Sequence, residues 1–143
     1  MAPPLRWCGP ASVRAAKIMR AKILIVDDEV ALLSAICDYL TSRGYECESA
    51  SEVAEAIALL AHIKFDVVVT DVYLSHVPQA DGFAVVSFIR ERALSSRVIV
   101  MTAHDTPQVI RQAERLSADL FLRKPVRLIQ LADALSAFTG MPN

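Results

Sequence analysis

Four short apolar runs constrain this chain more than any other feature, because each leads directly into polar or charged residues. They are ILIV (23–26) before Asp27, Asp28 and Glu29; VVV (67–69) before Thr70 and Asp71; VIVM (98–101) before Thr102; and LFL (120–122) before Lys124 and Pro125. A continuous Val/Ile/Leu run of this length suits a strand buried on both faces, as in a parallel sheet covered by helices. In such sheets a ligand sits beyond the carboxyl ends of the strands, where strand order reverses. Acids, a hydroxyl and an amine therefore converge on one sheet edge and form a small acidic pocket.

The segments between the runs read as helices. Residues 30–43 place apolar side chains at 32, 33, 36, 39 and 40, and Gly44 stands where a C-terminal cap is expected. Residues 45–50 alternate and predict the most exposed strand, at a sheet edge. A second helix is predicted over 52–62 with Ser51 as its cap, a third over 83–94, and a fourth over 107–116 opened by Pro107. The last is predicted over 126–138. Strand and helix alternate five times, which predicts a three-layer α/β domain with right-handed crossovers.

A length of 143 residues is enough for one domain with a genuine core. No apolar run approaches the roughly 20 residues that span a bilayer. The net charge of −1 is unevenly spread: Arg6, Arg14, Lys17 and Arg20 stand in a leader without acids, leaving a net of −5 for the rest. That balance gives no nucleic-acid footprint. Residues 1–20 read as a disordered or non-native extension, with Met19 as the native start; a basic arm that contacts a partner is the alternative. The domain proper is expected over 21–140, with 141–143 a short tail. Cys8, Cys37 and Cys47 show no metal-like spacing. Cys37 and Cys47 are expected to be reduced and at least half-buried, and the cytosol is the expected compartment.

Asp27 and Asp28 follow the first strand and Asp71 closes the third. If those strands are neighbours, three carboxylates crowd one cleft, which raises at least one pKa unless a cation relieves it. Mg²⁺ binds through one or two carboxylates together with phosphate and water. An Asp at each junction could be a simple helix cap, but caps do not account for a doublet facing a third acid. Lys124 is placed to reach a phosphoryl oxygen, and Thr102 adds a hydroxyl donor.

Together these residues resemble the receiver domain of two-component response regulators, over residues 20 to about 139. The resemblance is carried by ILIVDDE (23–29), DVVVTD (66–71), Asp81-Gly82, VIVMTA (98–103) and SADLFLRKP (117–125). It implies a flavodoxin-like fold with a five-stranded parallel sheet in the order 2-1-3-4-5. It further implies Asp71 as phosphoacceptor for a histidine kinase or histidine phosphotransfer protein. Asp28, Asp71 and the Tyr73 backbone carbonyl would bind Mg²⁺ or Mn²⁺, with Asp27 acting through water. Thr102 and Lys124 would hold phosphoryl oxygens, the Lys124–Pro125 bond would be cis, and Thr102 and Phe121 would form the switch. Output would be read by a protein on the face made by the fourth helix, fifth strand and fifth helix, where Arg111, Arg115, Arg123 and Arg127 stand. No direct nucleic-acid or membrane contact is implied, and the chain would be a monomer or a phosphorylation-dependent dimer.

The sequence departs from the family between Asp71 and Gly82, where an insertion over 75–80 carries His76 and Pro78. Tyr73 and His104 occupy positions that influence dephosphorylation, and their bulk predicts a longer-lived aspartyl phosphate. Ser117 replaces the usual glycine, a small change expected to be of little consequence. The alternatives are a receiver piece of a larger regulator or hybrid histidine kinase, and a binding module that is never phosphorylated. A Mg²⁺-dependent phosphohydrolase would carry an acid where Tyr73 stands. The expected role is therefore not that of an enzyme turning over an external substrate.

Overall fold

The computed structural model describes residues 20–74 and 80–142. The leader readings at 1–18, Cys8, and the insertion residues His76 and Pro78 lie outside the described residues. The elements are β1 (Lys22–Val26), α1 (Val30–Ser42), β2 (Glu46–Ala50), α2 (Val53–His62), β3 (Val67–Asp71), α3 (Phe83–Glu91), β4 (Arg97–Thr102), α4 (Pro107–Arg115), β5 (Leu120–Arg123) and α5 (Leu128–Thr139). All strand pairings are parallel, and the order is β2-β1-β3-β4-β5. This is the expected flavodoxin-like arrangement.

The period-2 alternation of strand side chains builds the three layers. Leu24, Val26, Val68, Val98 and Val100 point to one core, closed by Ala56 and Leu60 of α2, Val86 and Ile89 of α3, and Val109 and Ala113 of α4. Ile23, Ile25, Val67, Val69, Ile99 and Met101 face the other, closed by Leu33, Ile36 and Leu40 of α1 and by Leu131 and Leu135 of α5. Every residue of β3 is buried, whereas β2 at the sheet edge buries only Ala50 fully. The apolar runs and the alternating edge segment thus report how many faces each strand covers. Among the described residues, no helix is long and apolar enough to cross a membrane.

Helix ends follow local chemistry. Gly44 adopts φ +95° after α1, while the Tyr45 N–H donates to the Leu40 carbonyl and the Gly44 N–H to that of Thr41. That left-handed closure is what the Gly44 position predicts. Pro107 opens α4, and the Thr106 hydroxyl caps it by accepting the Val109 N–H at 3.3 Å. Ser51 does not cap α2: Glu52 holds that position without a side-chain bond. The Ser51 N–H and hydroxyl instead donate to Glu55 Oε1, because the longer carboxylate reaches back over the first turn. Helix α3 ends at Glu91 rather than 94, where Ala93 turns to φ +52°, and α5 begins at Leu128 rather than 126, after the cis Lys124–Pro125 bond.

Three further readings change. Cys37 and Cys47 are half-buried as expected, but they are joined as a disulfide rather than free, with Cα atoms 5.5 Å apart. The turn at Gly44 folds α1 back over β2, a juxtaposition that a sequence spacing of ten does not reveal. Met141, in the expected tail, packs against the α1/α5 core, and its sulfur accepts the Ala21 N–H at 3.4 Å. Ser117 has φ +57°, so its exchange for the usual glycine is not trivial; a left-handed non-glycine residue costs about 1 kcal/mol.

Candidate functional site

The register brings four strand ends together. Val26 pairs with Thr70, so Asp27 and Asp71 follow on adjacent strands. Asp71 pairs with Met101, which places Thr102 one step beyond it on β4. Thr102 in turn pairs with Arg123, next to Lys124. The Lys124 N–H donates to the Thr102 carbonyl at 2.9 Å, extending the β4–β5 ladder to the site. The Lys124–Pro125 bond is cis, as the resemblance implies.

Lys124 is the electrostatic centre. Its Nζ donates to Asp27 Oδ2 and to Asp71 Oδ2, each at 2.7 Å. Asp27 is fully buried and Asp71 nearly so. Burial pushes the Asp71 carboxyl above its usual range, while the Lys124 hydrogen bond and charge act in the opposite sense and the Asp27 charge adds to the rise. Burial draws Lys124 down, but its bonds to Asp27 and Asp71 outweigh this and leave its pKa raised. The ammonium therefore remains charged and stands between the two buried carboxyl groups. The sequence placed Lys124 at the phosphoryl group; its direct bond to Asp27, 97 residues away, was not foreseen.

The remaining oxygens are held by backbone. The Glu29 N–H donates to Asp27 Oδ1 at 3.0 Å and the Tyr73 N–H to Asp71 Oδ1 at 3.3 Å. Thr102 is fully buried, and its Oγ1 accepts the His104 N–H at 2.9 Å, which leaves the hydroxyl hydrogen for donation. The Tyr73 and His104 rings meet edge to face, with centroids 5.4 Å apart. Both residues thus touch the site by main chain and each other by side chain. Phe121 is half-buried and packs against the core beneath α2, α3 and α4, as a core residue would. Arg111, Arg115, Arg123 and Arg127 are exposed, and Arg123 pairs with Asp105 at 3.3 Å.

Asp27, Asp28 and Asp71 each present a carboxylate oxygen within 4.8 Å of the other two. An all-oxygen, all-anionic donor set fits a hard divalent cation and does not suit a thiophilic one. The motif residue Gly82 proves essential for a reason its type alone did not disclose. A Cβ there would overlap the Asp71 carbonyl oxygen and stand 2.8 Å from the Asp71 carbonyl carbon and 2.9 Å from Val72 Cα. The Gly82 N–H donates to the Val72 carbonyl at 2.7 Å, and Asp81 Oδ1 accepts the Leu74 N–H at 2.8 Å. The start of α3 is therefore laid directly on the chain that follows Asp71.

Residues 23–136 match the response regulator receiver domain family. The sensor histidine kinase RcsC of Salmonella typhi is 30% identical over 116 residues, covering 81% of this chain and 12% of that protein. The response regulator protein FleR of Pseudomonas aeruginosa is 32% identical over 118 residues, covering 82% of this chain and 24% of that protein. The chain thus spans only a minor part of either relative. A Burkholderia pseudomallei response regulator, whose crystal structure contains a phosphorylated aspartic acid, a calcium ion and citrate, superimposes with a TM-score of 0.70. It is 24% identical, over 82% of this chain and 66% of that one. With a family match over most of its length and the four strand ends arranged as described, the chain belongs to the response regulator receiver domain family.

Proposed function

We propose that this chain is a phosphoacceptor that takes a phosphoryl group onto Asp71 from a phosphohistidine donor and signals through altered protein contacts. The observation that carries the reading is the buried Asp71 carboxylate held by Lys124 at 2.7 Å beside two further acids. An oxygen of Asp71 attacks phosphorus in line, an acyl–phosphate P–O bond forms, and the donor's P–N bond breaks with its electron pair leaving on the imidazole nitrogen. Burial that raises the Asp71 pKa also makes the carboxylate a better nucleophile. Lys124 holds the attacking group and then a phosphoryl oxygen, and the Thr102 hydroxyl donates to another.

Asp28, Asp71 and the Tyr73 carbonyl would hold Mg²⁺ or Mn²⁺, with Asp27 acting through water. Bound there, such an ion would supply positive charge to offset the carboxylates and the incoming phosphoryl group. New charge on Asp71 draws Thr102 inward, and Phe121 follows into the space vacated. The exposed arginines of α4 and β5 and Arg127, which precedes α5, then present an altered surface to a downstream protein. The chain acts through its own phosphorylation cycle rather than by turnover of an external substrate. RcsC and FleR are both longer than this chain, which supports a second reading: the same domain working as a piece of a larger kinase or regulator.

Phosphoramidate, a small donor with a P–N bond, tests the donor chemistry. Incubated with Mg²⁺, it is expected to label Asp71, with labelling lost in Asp71→Asn; labelling that persists in that variant would remove Asp71 from the role. The Tyr73–His104 pair predicts a slow loss of the phosphoryl group. Replacing both by alanine is expected to speed hydrolysis roughly tenfold, the effect of about 1.4 kcal/mol on a barrier, by admitting water. Phosphate release followed after donor removal measures this. An unchanged or slower rate would show that the rings do not shield the site.

A further inference from the structure

We propose that Cys37 and Cys47 form a reversible thiol–disulfide site that controls how readily the α1–β2 corner opens. The inference does not rest on the phosphoacceptor reading, since Cys47 pairs with Ile23 at the far end of the ladder from Asp27. Cys37 lies in the third turn of α1 and Cys47 in β2, with Cα atoms 5.5 Å apart, within the range that a disulfide spans without backbone movement. Both residues are half-buried rather than sealed in the core, so a small reagent can reach the sulfurs. β2 is an edge strand hydrogen-bonded to β1 alone, and Glu46, Glu48 and Ser49 are exposed. An edge of this kind has few contacts to resist local opening, and a covalent tie to α1 supplies one.

The oxidant assigned is a low-molecular-weight disulfide. One cysteine thiolate attacks it, forming a mixed disulfide and releasing one small thiolate. The second cysteine thiolate then attacks the protein-bound sulfur, the Cys37–Cys47 bond forms, and the second small thiolate departs. Two electrons pass from the protein dithiol to the reagent, and the two protons lost by the cysteines are taken up by the released thiolates. Excess small thiol reverses both steps. Exposed Asp38 and Glu48 adjoin the pair, so a cationic disulfide is drawn to it and an anionic one repelled.

The test uses the full chain with Cys8→Ser, equilibrated in cystamine/cysteamine mixtures and then quenched with an alkylating agent. Intact mass and peptide mapping read the bond, and hydrogen–deuterium exchange reads the amides of Glu46–Ala50. The expected result is a Cys37–Cys47 disulfide that forms and is fully reduced again within the range of mixtures, with the protein folded throughout. Exchange across β2 is expected to slow by about tenfold in the oxidised form. Cys37→Ser and Cys47→Ser should each hold β2 at the reduced rate in both conditions. A pair that stays reduced in cystamine alone, a bond that resists excess cysteamine in the folded protein, or equal β2 exchange in the two forms would each overturn the proposal.

Discussion

Gly82→Ala is expected to lower stability by about 3 kcal/mol, the upper part of the range for overpacking a closed site, and to depress Tm by roughly 12 °C for a domain of this size. The position is not unusual in φ and ψ; its backbone is ordinary right-handed helix entry. What excludes a side chain is contact with the Asp71 carbonyl and with Val72 Cα, all backbone atoms that no rotamer change can move. Relief therefore requires the start of α3 to lift from the end of β3. The Gly82–Val72 hydrogen bond would lengthen, and Asp71 would shift against Lys124. Phosphorylation should weaken along with stability, so one methyl group disturbs fold and site together. Ala84→Ser, on the exposed face of the same helix, is the control and should change stability by less than about 0.5 kcal/mol. Thermal unfolding of the two variants decides the matter; a Gly82→Ala loss below that of an ordinary surface change would contradict the packing account.

Lys124→Met is expected to cost about 3–4 kcal/mol in the absence of divalent cation, because it strands two buried carboxylates that share one ammonium. Methionine keeps most of the side-chain volume, so the loss reports charge rather than a cavity. The same acids, with Asp28, should then bind a divalent cation without competition from the lysine. Millimolar Mg²⁺ is expected to stabilise the variant by about 2.7 kcal/mol if the concentration reaches a hundred times its Kd, and to stabilise the parent by less. Phosphoryl uptake should stay low even with Mg²⁺ present, since Lys124 also holds a phosphoryl oxygen. Urea unfolding with and without Mg²⁺ measures both effects. Equal stability of parent and variant without metal, or the same Mg²⁺ response in both, would show that Lys124 does not balance the pocket.

The layers were legible because hydrophobic period carries that information directly, whereas the strand order came from the resemblance to receiver domains. Runs such as 67–69 are buried on both faces and read as central strands, whereas residues 46–50 alternate and lie at the edge. The strand-end residues were legible for a related reason: a parallel sheet collects its carboxyl ends, so Asp27, Asp71, Thr102 and Lys124 meet once the order is known. What the sequence concealed depends on distances between elements or on local competition for hydrogen bonds. The Cys37–Cys47 pairing follows from how α1 folds back at Gly44, and the Tyr73–His104 contact from two loops converging over one edge. Ser51 lost the capping role because Glu55 reaches both of its donors, and Thr106 caps α4 from a position that Pro107 had overshadowed. Gly82 stood within a recognised motif, yet the atoms that forbid its side chain come together only when α3 is laid on the end of β3.

The central claim is that Asp71 accepts a phosphoryl group in a Mg²⁺-dependent reaction, and intact mass spectrometry after incubation with acetyl phosphate tests it most directly. Parent protein with Mg²⁺ is predicted to gain a single phosphate adduct, absent when the metal is chelated and absent in Asp71→Ala. No adduct in the parent, together with failure to bind beryllofluoride, would contradict the account and leave the acidic pocket as part of a binding module that is never phosphorylated.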